Sequence, residues 1–311
     1  MTDPIAAKAA ALWGISAQDI ALAARRENTV LKARKDGSDY ALRLHRPGYR
    51  TRAELLSELQ WMEALALNGL TVPQPEPSLN GSLIEYIGDT PISLLSWMPG
   101  TPSGAGARLD VENPAQFAER LGRALAKMHA LSDEWAGPTE FSRPSWDLEG
   151  LLGQTPLWGP FWDNPDLSPD ESLLLQRTRD KAYDRLENIA GDLDFGLIHA
   201  DIITENILTQ NGSVGLIDFD DGGWGFRVFE LATFLMRFLD HPEYMTLRSA
   251  LLSGYATCET IDPETLDFFI LLRALTYPGW IIPRRAEPGG KERSIRAVRT
   301  AVPLAQRFLT S

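Results

Sequence analysis

At 311 residues the chain can hold one large domain or two lobes with a sizeable core. Its composition, 44% hydrophobic and 23% charged, is that of a soluble globular protein, and a net charge of −12 excludes general nucleic-acid binding through basic patches. Cys258 is alone, which excludes an intramolecular disulfide and fits a reducing cytoplasm; no signal peptide opens the chain, and no apolar run reaches the roughly 18 residues of a membrane helix.

The first hundred residues read as strands around one helix. After a helix at 6–12, Ile20 to Ala24 and Thr29 to Arg34 predict strands, and Asp36-Gly37 turns into a third from Asp39 to His45. A two-residue turn there opposes Leu31 to Leu42 and Ala33 to Tyr40 on one apolar face, with Arg43 opposite Val30 on the other. Thr51 to Leu67 predicts a helix with Leu55, Leu59, Met62 and Leu65 spaced at three and four, capped at Asn68-Gly69. Val72 to Pro77 is a stiff connector, followed by strands at Ser82 to Ile87 and Ile92 to Trp97. Met98 to Gly106 reads as irregular linker, so the expected domains are an N-terminal lobe at 1–97 and a C-terminal lobe at 98–311.

The remainder is mainly helical, with predicted helices at 114–131, 168–190, 229–239, 242–257, 263–275 and 293–309, the last kinked or broken before Pro303. An aromatic loop from Phe141 to Trp162 carries Trp146, Trp158 and Trp162. A mixed lobe followed by an α-rich lobe makes the space between them the default ligand site.

The chemistry is concentrated between Leu197 and Asp221. His199, Asp201 and Asn206 stand in the order H-x-D-x-x-x-x-N, and Asp218 opens a D-F-D triplet where a protein kinase has D-F-G. In kinase-type phosphoryl transfer the first Asp orients the attacking hydroxyl and accepts its proton, while the Asn and second Asp hold magnesium. Asn211-Gly212 between two short apolar runs predicts a hairpin joining the two halves. A three-residue loop opposes 206 to 218 and a two-residue loop opposes 206 to 217; the three-residue loop is the expected one. The alternatives are a surface hairpin with unrelated Asp and Asn, and a metal-dependent phosphoesterase, because H-x-D with D-x-D can also ligate metals.

Together with Glu27-Asn28 opening a strand, Tyr40-Ala-Leu-Arg-Leu44 and Leu121-Gly-Arg-Ala-Leu-Ala-Lys-Met-His129, these motifs resemble the aminoglycoside phosphotransferase and choline kinase-like superfamily, relatives of the protein kinase fold. The resemblance spans about Arg25 to Asp240, and Arg43-Leu-His-Arg-Pro47 looks closest to the homoserine kinase type II and stress-response kinase branch. It implies an α+β, bilobal, protein-kinase-like fold: an N-terminal antiparallel sheet plus helix, then an α-rich lobe. It also implies transfer of the γ-phosphate of ATP, with Mg2+, to a small hydroxylated metabolite. By that resemblance Asp201 is the catalytic residue, Asn206 and Asp218 are metal ligands, and Asp220 is a further ligand or an exposed turn acid. Arg43 stands where kinases carry the phosphate-pairing Lys, and its guanidinium can fork onto two phosphate oxygens. Glu58 is its expected partner, with Glu54 as rival. Adenine would meet backbone near Ser96 to Met98, and Asn28 closes a phosphate-covering turn that has no glycine. His199 would buttress the loop and His129 would be a core histidine. Ala200 replaces a glycine before the catalytic Asp, which is tolerable unless φ is positive.

Asp220, Asp221, Glu230 and Asp240 near the motif, with the tryptophans of the aromatic loop, would suit an amine; Arg284 and Arg285 would suit a carboxylate. The expected acceptor is therefore a small amino alcohol or hydroxy amino acid. The competing readings are an aminoglycoside phosphotransferase, a protein Ser/Thr kinase, and a catalytically silent nucleotide-binding relative, which intact Asp201, Asn206 and Asp218 disfavour.

Overall fold

A computed structural model describes residues 4–25, 28–256 and 260–310. The centre of the Arg25–Asn28 turn, including Glu27, and Cys258 lie outside the described residues. In chain order the elements are α1 (Pro4–Ala11), β1 (Ile20–Arg25), β2 (Thr29–Lys35), β3 (Ser38–Leu44), α2 (Arg52–Leu67), β4 (Pro75–Glu76), β5 (Glu85–Ile87), β6 (Thr90–Ser96), β7 (Thr101–Pro102), β8 (Gly104–Ala105), β9 (Arg108–Leu109) and α3 (Pro114–Glu134). Then follow β10 (Ser145–Trp146), α4 (Leu148–Leu152), α5 (Pro169–Ile189), β11 (Phe195–Ile198), β12 (Ile207–Gln210), β13 (Ser213–Leu216), β14 (Gly223–Phe226), α6 (Val228–Met236), α7 (Tyr244–Tyr255), α8 (Pro263–Trp280) and α9 (Gly290–Thr310). Contacts divide the chain into two compact units: Met1–Ser103 with Ala130–Arg143 and Glu205–Asp220, and Gly104–His129 with Pro144–Thr204 and Asp221–Ser311.

The first unit is built on an antiparallel sheet ordered β1-β2-β3-β6-β4, with β5 on β6. Asp36 at φ 51 and Gly37 at φ 82 make a two-residue turn whose twist matches its strands, so Leu31 faces Leu42, Ala33 faces Tyr40 and Val30 faces Arg43 as the alternation predicts. Leu31, Ala33, Leu42, Leu44, Ile92 and Leu94 bury one face against Trp13 and the alanines of α1. Helix α2 starts with a capping box between Thr51 and Glu54 and buries Leu55, Leu59, Met62 and Leu65, together with Glu58. The linker before α3 is more regular than its composition suggests: β7 pairs with β12, and β8 pairs with β9.

The hairpin β12–β13 corrects the expected register. Ile207 faces Leu216 and Gln210 faces Ser213, so the loop is two residues long and Ile217, not Asp218, falls opposite Asn206; the Ile217 N–H donates to the Asn206 carbonyl at 3.0 Å. The reason is local. Asn211 at φ 50 and Gly212 at φ 77 both occupy the left-handed region, which is the two-residue turn that Asn-Gly prefers.

The second unit packs α5, α6, α8 and α9 around a three-stranded sheet ordered β10-β14-β11. Two helices continue through prolines at which helices usually end. α8 runs past Leu275 and through Pro278 to Trp280, and α9 starts at Gly290 and passes unbroken through Pro303. Pro303 is exposed, while Val298, Ala301, Val302, Ala305 and Phe308 around it are buried, so packing of that face outweighs the hydrogen bond the proline removes. Among the described residues no helix is long and apolar enough to cross a membrane.

Glycine sets how closely α3 and α7 approach. A Cβ on Gly254 would drive into the Glu119 carbonyl, and one on Gly122 into the Leu251 carbonyl. Gly254→Ala should therefore destabilise the protein by about 1–3 kcal/mol, the usual cost of overpacking. Urea unfolding of the variant checks this, and an unchanged midpoint would show that the helices can separate freely.

Candidate active site

In the first unit, the sheet and α2 present a buried network of charges. β3 places Arg43 so that Nη1 donates to Glu58 Oε1 at 2.8 Å and Nη2 donates to Asp220 Oδ1. Arg143 completes it: Nη1 lies 3.4 Å from Glu58 Oε2, and Nη2 donates to the carbonyls of Phe219 at 2.9 Å and Asp220 at 2.7 Å. Asn28 Nδ2 donates to Asp220 Oδ2. Burial opposes the charge on Arg43, but Asp220, Glu58 and Asp218 outweigh it and raise its pKa above the ordinary value. Burial likewise pushes Asp220 up, yet Arg43, His45 and Arg143 hold its carboxyl below the ordinary range. Glu58 rather than Glu54 is thus the partner of Arg43; Glu54 caps α2 through Thr51 and lies 3.4 Å from Arg50.

The D-F-D triplet sits on this network. Phe219 is fully buried with its ring edge-on to Trp61, at 5.2 Å between centroids. Asp218 is exposed in a left-handed conformation at φ 69, and Asn206 is buried. An amide and a carboxylate are hard oxygen donors of the kind magnesium accepts, the remaining ligands coming from phosphate and water. The two oxygens of Asp220 are already engaged by Arg43 and Asn28, which makes it a partner of Arg43. The Ser96 N–H donates to the Gln74 carbonyl and its Oγ accepts from the Gln74 N–H, each at 2.8 Å, so of the two expected adenine contacts Met98 is the one outside the sheet.

In the second unit, β11 ends at Ile198 and delivers His199, Ala200 and Asp201. His199 is wholly buried, and its Nδ1 accepts from the Asp201 N–H at 3.3 Å, as a loop buttress requires. Ala200 has φ 65, the case in which its methyl is not tolerated freely; an L-residue there costs about 1–2 kcal/mol. Glu230 of α6 holds the strained segment. One carboxyl oxygen accepts from the His199 N–H and the other from the Ala200 N–H, the latter at 3.2 Å. Burial raises the Glu230 pKa to about 8, against the two backbone N–H groups that lower it.

That shift has a sign. A carboxyl whose pKa is raised from 4.5 to about 8 contributes stability that is complete below the lower value and lost as pH climbs through the upper one. Glu230→Gln should consequently show a flatter melting-temperature profile than wild type between these two values. Parallel profiles would mean that Glu230 does not titrate in this window.

Asp201 itself is met by Arg273, whose Nη2 donates to Oδ1 at 2.9 Å. Arg273 is fully buried in α8, its guanidinium 4.5 Å from the Trp158 ring, 5.1 Å from Tyr277 and 5.5 Å from Phe229. His129 is the expected core histidine, wholly buried with Nδ1 2.8 Å from the Tyr255 hydroxyl.

Several substrate expectations change. Glu230 is no acid of an open pocket but a buried clasp. Trp146 is buried against Phe229 and donates to the Asp221 carbonyl at 2.9 Å, so its ring is not offered to a ligand cation. Arg285 forks onto Asp166 with two 2.8 Å bonds, and Arg284 donates to the Trp280 carbonyl. Arg143 and Arg273 were not singled out by motif. Arg273 did carry a signal, as a lone charge inside the apolar run Phe268 to Leu275; Arg143 carried none.

Residues 20–269 match the Phosphotransferase enzyme family. The chain belongs to that family. Relatives of this phosphotransferase include an amicoumacin kinase of Bacillus subtilis (strain 168), 28% identical over 298 residues and covering 88% of this chain and 83% of that protein. A homoserine kinase of Gluconobacter oxydans (strain 621H) is 29% identical over 249 residues, covering 76% and 71%. Among solved structures, a microcompartment-associated aminopropanol kinase superposes with a TM-score of 0.82 at 28% identity over 98% of this chain and 97% of that one. The expected superfamily, the mixed α and β kinase-like fold and phosphotransferase activity on a hydroxyl group are therefore borne out.

Proposed function

We propose that this phosphotransferase is an ATP- and magnesium-dependent kinase of a small hydroxylated metabolite, in the class of amino alcohols and hydroxy amino acids. The observation that carries the reading is the buried Arg43–Glu58 pair at 2.8 Å, which presents a fixed guanidinium in the unit that also holds Asn206 and Asp218. Arg43 would pair with the nucleotide phosphates, and Asp220, with Asn28, would keep its fork oriented. Asn206 and Asp218 would hold magnesium, which supplies charge neutralisation on the phosphates. Asp201 would orient the acceptor hydroxyl with Oδ2 while Arg273 fixes Oδ1, and would take the proton as the oxygen attacks. Two of the relatives are named for substrates of this class, aminopropanol, an amino alcohol, and homoserine, a hydroxy amino acid. A cytoplasmic location fits the lone cysteine.

Magnesium-ATP should raise the melting temperature, because only the native state assembles the site. Asp218→Ala should remove the magnesium-dependent part of the shift. An equal shift in both proteins would sink Asp218 as a metal ligand, and absence of ADP release with every hydroxylated acceptor would sink the kinase reading.

A further inference from the structure

We infer that Arg237, Tyr277 and Arg273 form a carboxylate-binding subsite beside Asp201, so that the acceptor is an alcohol bearing a carboxylate. This rests on the kinase reading and narrows its substrate class. Arg273 has one hydrogen bond, to Asp201, and its Nε and Nη1 are buried without partners. Arg237, at the end of α6, donates Nη2 to the Tyr277 hydroxyl, and its Nε is likewise buried and unpartnered. Among the described residues it has no carboxylate partner. Both guanidinium groups lie against the same ring, Arg237 at 4.9 Å and Arg273 at 5.1 Å from the Tyr277 centroid.

Ring contacts do not account for these orphan donors. An aromatic face meets the charge across the guanidinium plane, whereas the N–H groups point outward within it. Three buried N–H positions around one tyrosine therefore need oxygen acceptors from elsewhere, because a buried unpaired donor costs more than a made hydrogen bond returns. The charges point the same way. Asp201 balances Arg273, the raised pKa of Glu230 keeps it largely protonated near neutral pH, and Arg237 beside the same Tyr277 has no carboxylate partner among the described residues, leaving one positive charge in excess. A single carboxylate balances it. An amine would find less: Glu230 clasps the His199–Ala200 backbone, and Asp166 is held by Arg285.

Acceptors that differ only in the carboxylate test this: homoserine against its decarboxylated form propanolamine, and threonine against isopropanolamine, each with magnesium-ATP. The acid of each pair should have a kcat/KM roughly 10- to 100-fold higher, the scale of a hydrogen bond to a charged group. Arg237→Met should collapse that ratio towards one, mainly through KM. Tyr277→Phe, which removes only the hydroxyl that orients Arg237, should lower the ratio partially, and it serves if Arg237→Met fails to fold. Calorimetric binding of the same four compounds without nucleotide gives a readout independent of turnover. If the acids bind through Arg237 but nothing is phosphorylated, the kinase reading falls and the subsite stands. Three results overturn the subsite: equal or better use of the decarboxylated members, no binding of either acid, or a ratio indifferent to Arg237→Met. The last would place the guanidinium on the transferred phosphoryl group instead.

Discussion

Replacing Asp201 with Asn should lower turnover by roughly 10²- to 10⁴-fold, the contribution of positioned proton transfer, while magnesium-ATP binds nearly as in wild type. The amide keeps the size of the carboxylate and can still accept from Arg273 Nη2, now 2.9 Å from Oδ1. What it loses is the negative oxygen that takes the proton from the acceptor. The nucleotide's proposed contacts, Arg43 and the metal ligands Asn206 and Asp218, belong to the other compact unit and do not include Asp201. Steady-state kinetics beside a nucleotide-dependent melting shift separate the two effects. Turnover near wild type would remove Asp201 from the chemistry; loss of the melting shift would show that the substitution disturbs more than proton transfer.

Arg43→Met should cost about 3–5 kcal/mol of stability, the penalty for breaking a buried ion pair by deleting one partner. The side chain is 6% exposed and that of Glu58 only 1%, so Glu58 gains little water when the guanidinium goes, whereas Asp220 is 19% exposed and keeps Asn28. Arg143 remains and compensates in part through Glu58 Oε2, at the longer distance of 3.4 Å. Denaturant unfolding reads the stability, and the nucleotide-induced melting shift should shrink in the same variant. A change under 1 kcal/mol would mean that the network relaxes around the loss or that water enters it.

The parts of this protein that follow short-range rules could be read directly from the chain. The β2–β3 register follows from alternation plus an Asp-Gly turn, and α2 from its spacing and Thr51 cap. The tetrad of His199, Asp201, Asn206 and Asp218 was visible because its spacing is a local property. The hairpin loop is one residue shorter than expected, because the preference of Asn-Gly for a two-residue turn sets the register and not the opposition of Asn206 to Asp218. The helix expected at 263–275 runs on through Pro278 to Trp280 and the break expected before Pro303 is absent, because burial of the flanking residues settles those helices, and burial is a tertiary fact. The supporting groups were hidden for the same reason. Arg143 reaches Glu58 across 85 residues and Arg273 reaches Asp201 across 72, and no pattern within one segment encodes such a meeting.

The pairing of Arg43 with Asp220 joins positions 177 residues apart, and the unit that contains them is assembled from three separate stretches of chain. During synthesis at about 5–20 residues per second, the strand bearing Arg43 waits roughly 10–35 seconds before its aspartate leaves the ribosome. Through that interval the nascent sheet carries a guanidinium destined for burial with Glu58 as its available counter-ion, since Arg143 and the D-F-D turn are made later. A fragment ending near Ser103 would inherit the same deficit permanently. Supplying residues 104–311 as a second polypeptide should restore order to it, which makes the linker before α3 a natural place to divide the gene into two complementing halves.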